Sequence, residues 1–538
     1  MPIHSTFLQK PRSLQMLLGI SLLWAFLWMF FLWPESFTWM GYQNATTADT
    51  AQHLSGWYAF MRDSWHFPLL KTLLLDAPQG TNISLTDSLP LLALLFKPFQ
   101  RFLPLAFNDY ALLFVVYMML QSSAAALLAW SLNQKNLLAN IAFCFFALSA
   151  PILTYRIGIA DSLCCQFIIL FALSLYFFNH QQRLSLQRAH VYFGLLLGAA
   201  LLIHPYLAAM SYPFYWASLY ELQGASRAQK WKYVACMHGL LLLECLIFGL
   251  DTGTQAVVGF GILNMNLLAP VYGGWLFHDR ALLALPTQWE GFAYLGWGLI
   301  LMFILACFLQ RASLRTLCKN YRPLLIATFL LFIFAIYGSI DLGSIHIIRI
   351  GAPHFFLTYD FRTNGRFFWP CFYLIMGFSL KSVLSKRPNA SLLILPALLL
   401  VQVFDTSGYT LIAKAALTQN MQAPSAQIQA ISALVQQSQA VVIYPPMACP
   451  YTNEGNLALM QYLAAKAGVP INTAYTAHFE SSDHCHDEAP LFAKKAALLL
   501  VSPLTTPSET IKQQLKTAPS NCQIIGAIFY CLVNHHGA

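Results

Sequence analysis

Asp49 lies in ADTAQHLSGWYAFMRDSWHFP, a polar stretch just beyond the first long apolar run of a 538-residue chain. A carboxylate so placed can accept a proton from an attacking hydroxyl. Gln52 and His53 follow at three- and four-residue spacing, which on a helix puts an amide and an imidazole on the same face. Far along the chain, TYDFRTNGRFFWP carries Asp360, Arg362 and Arg366. Two arginines four residues apart can grip a phosphate bidentately, as lysine cannot. Base and phosphate clamp together suggest moving a group from a phosphate to a hydroxyl. Each also has a plainer role: Asp49 as a helix cap, the arginines as anchors at a membrane interface.

The composition says what must position these groups. Residues are 58% hydrophobic and 9% charged, and the mean hydropathy is +0.56. No water-soluble core needs that much apolar surface. Runs of about 20 apolar residues, enough to cross a ~30 Å hydrocarbon layer, recur from Leu14 to Phe404. They predict about eleven transmembrane helices, near 14–33, 109–131, 137–155, 161–178, 190–204, 206–221, 232–250, 292–310, 323–340, 367–384 and 390–404. With a cytoplasmic N-terminus, the inner segments collect Lys10, Arg12, Lys135, Arg183, Arg188, Arg227, Lys230, Lys232, Arg311, Arg315, Lys319, Arg322, Lys381, Lys386 and Arg387 without an acid among them. That bias is the positive-inside pattern, so the net charge of +9 reports topology and implies no nucleic-acid partner.

Three long segments then face outward, 34–108, 251–291 and 341–366. The first is expected to form two helices lying on the membrane, 48–62 and 87–103, joined by a turn-rich link that ends at Asp87. Asp87 is either a cap or a site residue. Further polar groups interrupt apolar runs, where an ionisable side chain costs about 2.5–3.5 kcal/mol. Asp161 in IADSL stands near Arg156, as a site residue or a structural ion pair; His204 lies in IHPY, Glu244 in LLLECLIF and Glu290 in QWEGF. From Asp405 onward hydropathy falls and helical patterns alternate with short apolar runs, predicting a second domain, 405–538, of α/β type outside the membrane. Four of the 12 cysteines, Cys449, Cys485, Cys522 and Cys531, fall there, which suits an oxidising compartment. Of three possible pairings, Cys522 with Cys531 and Cys449 with Cys485 is favoured, because 522 and 531 bracket a plausible hairpin. A zinc site using Cys485, His484, His486 and His478 lacks a second cysteine at finger spacing.

No Walker loop, dinucleotide fingerprint or HExxH is present. ADTAQHLSGWYAFMRDSWHFP, TDSLPLLALLFKPF, ADSL, IHPY, EGFAYLG and NGRFFWP together resemble an uncharacterised family of bacterial multi-spanning inner-membrane proteins, similar in layout to the GT-C superfamily of glycosyltransferases. The resemblance covers about residues 14–404. It implies a 1–404 membrane domain that moves a sugar from a polyprenyl-phosphate donor to a glycan, lipid or protein acceptor at the outer face of the inner membrane, with inversion. Asp49 would then be the catalytic base, Arg362 and Arg366 would hold the departing phosphate, and Gln52, His53, Asp87, Asp161, His204, Glu290 and Asp360 would contact substrate or support those that do. No DxD or ExD pair follows Asp49, so no obligatory metal and no other cofactor is expected. Alternatives are a flippase or transporter of a lipid-linked glycan, and a structural protein of envelope assembly whose tail binds a partner. Charges spread along many helix interiors would favour transport; here most gather at one interface, which favours an enzyme.

Overall fold

The computed structural model describes residues 7–34, 41–250, 261–273, 286–350, 361–444, 446–447, 454–476, 497–501, 520–525 and 528–533. Asp360, Cys449, Cys485 and the histidines of the zinc alternative lie outside them.

The helices are α1 (Leu14–Leu32), α2 (Ala48–Arg62), α3 (Pro90–Phe96), α4 (Tyr110–Ser131), α5 (Leu137–Leu148), α6 (Pro151–Thr154), α7 (Phe167–His180), α8 (Leu186–Ile203), α9 (Pro205–Glu221) and α10 (Arg227–Phe248). There follow α11 (Trp297–Gln310), α12 (Leu314–Asn320), α13 (Arg322–Ile336), α14 (Trp369–Lys386), α15 (Ser391–Met421), α16 (Ala426–Gln436) and α17 (Glu454–Ala467). Polar side chains set several starts: Ser13, Asn136, Ser185 and Ser226 each accept a hydrogen bond from a backbone N–H of the first turn. Among the described residues eight helices are long and apolar enough to cross a membrane, or nine if the bent pair α11–α12 is one span. A helical membrane-embedded protein is thus what the apolar runs build.

The ends of these helices gather on two opposite faces. On one, Arg12 donates its N–H to the Lys135 carbonyl at 2.7 Å, Gln134 bonds Ser385 at 3.1 Å and Gln310 bonds Ser382 at 3.3 Å. This face holds the basic segments, with Glu221 its acid among the described residues, tied to His180 at 3.2 Å. On the other, Tyr42 N–H meets Asn108 Oδ1 at 3.0 Å, Asn82 donates to the Phe248 carbonyl at 2.8 Å and Gln43 N–H to the Asn420 carbonyl at 3.0 Å. The shorter helices α9 and α13 join the same two faces. His204, before α9, lies beside Asp87, whereas Glu221 at its end belongs to the basic face. The Tyr321 ring before α13 lies against His180, and the Tyr337 carbonyl after it accepts from Asn364 at 2.8 Å.

Two expectations need correction. Helix α2 does not lie on a membrane: Trp57 and Phe60 are each 1% exposed. What covers it is α17, more than 400 residues downstream, with Gln461 Nε2 donating to Ser55 Oγ at 2.5 Å and Tyr462 against Tyr58. The backbone adds Ile471 N–H to the Leu74 carbonyl and Ala77 N–H to the Ile471 carbonyl. The C-terminal segment therefore packs directly on the helix that carries Asp49. Second, the last long helix, expected to end at residue 404, continues to Met421.

Beyond α15 lies a four-stranded sheet of β1 (Ala440–Tyr444), β2 (Ala497–Val501), β3 (Ser520–Ile525) and β4 (Ile528–Val533), in order β1-β2-β4-β3, with β1 and β2 parallel and the other pairs antiparallel. Its register sets Cys522 opposite Cys531. Directly opposed residues of an antiparallel pair have Cα atoms about 4.5–5.5 Å apart, within disulfide range. Peptide mapping of the unreduced protein is expected to recover a Cys522–Cys531 linked peptide; free thiols at both would remove that expectation and, with it, the argument for an oxidising compartment.

Candidate functional site

The site forms where the first polar loop meets the α8–α9 junction, the turn after α6 and the 3-10 turns Pro286–Gly291 and Asn364–Phe368. Thr47, not Asp49, caps α2, its hydroxyl accepting from the Thr50 N–H at 3.1 Å. Asp49 sits in the first turn without that duty, and its carboxylate has no hydrogen bond or ion pair among the described residues. Burial, and then the nearby Asp87 and Glu290 carboxylates, push its pKa up from 3.8 to about 6, against the opposing pull of Arg156 and Arg366.

Asp87 is not a cap either. Its backbone is left-handed, φ 54°, at the end of the short 3-10 turn Ile83–Thr86, and α3 begins without a side-chain cap. Three contacts fix it. Gln52 Nε2 donates to the Leu85 carbonyl at 3.2 Å, and His53 Nδ1 lies 2.8 Å from the Asp87 carbonyl oxygen. Gly56 lets α2 come so near that a Cβ there would sit 1.9 Å from Thr86 Oγ1. The Asp87 carboxylate faces His204 Nε2 at 3.8 Å. His204 Nδ1 caps α9 by accepting from the Tyr206 N–H at 3.3 Å, so in the neutral ring the proton is on Nε2, toward Asp87. Burial raises the Asp87 pKa, yet His204, Arg366 and Arg362 outweigh it and hold the group below the usual carboxylate value.

Glu290 is clamped by Arg156 Nη2 at 3.0 Å and Arg366 Nη2 at 3.1 Å. Despite burial, this clamp holds its pKa down to about 2. The Arg366 guanidinium also lies over the Tyr206 ring, 5.3 Å from its centre. Two glycines permit the clamp: a Cβ on Gly291 would stand 2.2 Å from the Asn264 carbonyl oxygen, and one on Gly365 2.5 Å from the Gly291 Cα. Each adjoins a charged residue in sequence, Glu290–Gly291 and Gly365–Arg366. Because backbone cannot step aside, Gly291→Ala and Gly365→Ala are expected to cost about 1–3 kcal/mol or more, read as a lowered melting temperature. Gly19→Ala, on α1 with nothing within 4 Å, is the control and should be neutral or slightly stabilising.

The expected contacts thus divide. Asp49, Asp87, His204, Glu290 and Arg366 converge, with Arg156 added. Arg362 acts on Asp87 through its charge and has no hydrogen bond or ion pair among the described residues. Gln52 and His53 are buried behind the site; His53, 2% exposed, has Nε2 at 3.1 Å from both Asp109 oxygens. They position Asp87 and have no surface left for substrate. Asp161 is likewise buried and does not pair with Arg156: it accepts from Tyr117 at 2.9 Å and from the Gly158 N–H at 3.0 Å. Asn420 of α15 donates to the Gly158 carbonyl, so both fasten the turn carrying Arg156. Glu244 is elsewhere, over Gly198 of α8. Among the described residues no three His, Cys, Asp or Glu side chains gather as metal ligands.

Sequence inspection missed the bond between Arg156 and Glu290, since each has a nearer acid or base along the chain. Gly291, beside Glu290, is the one local sign that the chain is closely approached there.

No curated protein matches the chain. Residues 16–407 match the model of a domain of unknown function, DUF6311, and residues 430–532 that of the DUF6311 C-terminal domain. Neither description carries a glycosyltransferase name or an activity. The first match alone spans more than half of the sequence, and the chain belongs to the DUF6311 family.

Proposed function

We propose that the protein is a membrane glycosyltransferase that moves a sugar from a polyprenyl-phosphate donor to an envelope acceptor, with Asp49 as the base. The observation that carries this reading is an unpartnered carboxylate, with its pKa raised to about 6, in the field of Arg156 and Arg366. A base titrating near 6 is ionised at neutral pH and basic enough to take a hydroxyl proton. Sugar transfer from a phosphate passes through an oxocarbenium-like state and needs such a base on one side of the reacting carbon and cations around the leaving phosphate on the other. The clamp supplies the cations. Two guanidiniums share one carboxylate, leaving one net positive charge, and Arg362 adds a second. Asp87, paired with His204, is suited to accept hydrogen bonds from sugar hydroxyls.

In this reading, which the positive-inside bias supports, the basic face is toward the cytoplasm and the site and C-terminal sheet are on the outer side of the inner membrane. The test is turnover of a polyprenyl-phosphate sugar by purified protein in lipid, beside comparison of envelope glycans in cells with and without it. Unchanged glycans and no turnover with any such donor would end this reading.

A further inference from the structure

We propose that residues 65–105 form an apron whose apolar side chains are immersed in lipid at the site's face of the bilayer, bringing the Asp87–His204 edge to the level of the lipid headgroups. From Pro90 the chain runs through α3 directly into the 3-10 turn Lys97–Phe102. Leu95, Phe99, Phe102 and Leu105, spaced by four, three and three, share its outward side. Phe102 is 85% exposed, Leu105 76%, and Leu95 and Phe99 more than half. The opposite side is core: Leu92 and Ala93 are buried, and Lys97 turns inward to donate to the Asp63 carbonyl at 2.5 Å. The expected pairing of a polar with an apolar face is thus reversed at Lys97, and the exposed side is left apolar. Trp65 and Phe67, both at least half exposed, extend this surface.

Its occupant follows from what it adjoins. Leu69 N–H bonds the Ile247 carbonyl, Asn82 bonds the Phe248 and Gly249 carbonyls, and Pro68 packs on Gly249. The apron is therefore seated on the end of α10, while α3 also packs on α8. Both are candidate spans, largely exposed, with Leu195 of α8 and Leu242 and Leu246 of α10 turned outward. An apolar surface continuous with the lipid-facing side of two spans is covered by the same solvent. Asp87 precedes α3 by three residues and His204 follows α8 directly, so this edge of the site lies beside the lipid. Resting on the proposed function, this makes the preferred substrate one held by a lipid anchor, presented from the leaflet.

Photo-cross-linking in native membranes tests the apron without reference to activity. With p-benzoylphenylalanine in place of Phe102, and separately of Phe99, irradiation should give phospholipid adducts in a yield like that at Leu195 of α8 and well above that at the exposed polar Gln429 of α16. Adducts to a protein at both positions, or yields no higher than at Gln429 while Leu195 labels, would overturn the proposal. Lipid adducts together with failure to use any polyprenyl-phosphate sugar would uphold the apron and remove only the assigned reaction.

Discussion

Asp49→Asn is expected to lower turnover by about 10²–10⁴-fold while leaving the protein as stable as the wild type, or more so, near pH 8. The amide keeps the shape of the side chain and loses its proton affinity. A helix-capping acid would behave in the opposite way, losing about 1 kcal/mol of stability with turnover intact, but Thr47 already holds that position. The direction of the stability change follows from the raised pKa. A carboxyl that titrates higher in the folded than in the unfolded chain is destabilised by ionising: the cost is absent below the unfolded value of 3.8, grows as pH rises through about 6 and is complete above it. Asparagine does not incur it. In the wild type, turnover should rise with pH across the same window, because only the carboxylate can act as base. Melting temperatures near pH 5 and pH 8, beside pH–rate profiles, check both. Full activity of a folded Asp49→Asn protein would sink the mechanism and favour a flippase.

The same field makes a sharper claim. Glu290 helps to raise the Asp49 pKa and Arg366 to lower it. Glu290→Gln should therefore move the pH–rate midpoint to lower pH, and Arg366→Gln to higher pH. Midpoints that stay fixed in both variants would mean that another group titrates.

Much of this was legible in the sequence for a physical reason. A polar group at the edge of an apolar run is expensive, so His204 and Glu290 stood out, while Asp49, Asp87 and Arg366 stood out as charges in the long segments between the runs, and these five do meet. Apolar runs long enough for the bilayer likewise announced the helices, of which eight, or nine with the bent pair α11–α12, are long and apolar enough to cross it among the described residues, against about eleven expected. What the sequence hid was partnership. Gln52 and His53 have the right types and spacing for substrate contacts, yet their polar atoms are occupied by the Asp87 turn and by Asp109. Asp161 looked like a partner for Arg156 because they are close in sequence; the turn between bends so that Asp161 binds the turn itself. Trp57 and Phe60 read as lipid-facing because the surface that buries them belongs to α17, and no local pattern reports a cover supplied from the far end of the chain.

Arginine substitutions should separate binding from architecture. Arg156 is buried, 3% exposed, and removing one partner of a buried ion pair costs about 3–5 kcal/mol, since the other charge stays behind. Arg156→Ala is accordingly expected to lose the fold of the site, with a large drop in melting temperature and little activity left to analyse. Arg362 has no ion pair to break among the described residues. Arg362→Ala should keep the wild-type melting temperature and weaken donor binding by about 1.5–3 kcal/mol, the worth of a hydrogen bond to a charged group, which is roughly a 10- to 150-fold rise in KM. Its kcat should change less, because phosphate is gripped in ground and transition states alike. Arg366→Ala belongs between them, as Glu290 keeps Arg156 when Arg366 is gone. Paired measurements of melting temperature, KM and kcat test the order. If Arg362→Ala leaves KM unchanged, the phosphate does not reach that guanidinium, and only Arg156 and Arg366 remain to hold it.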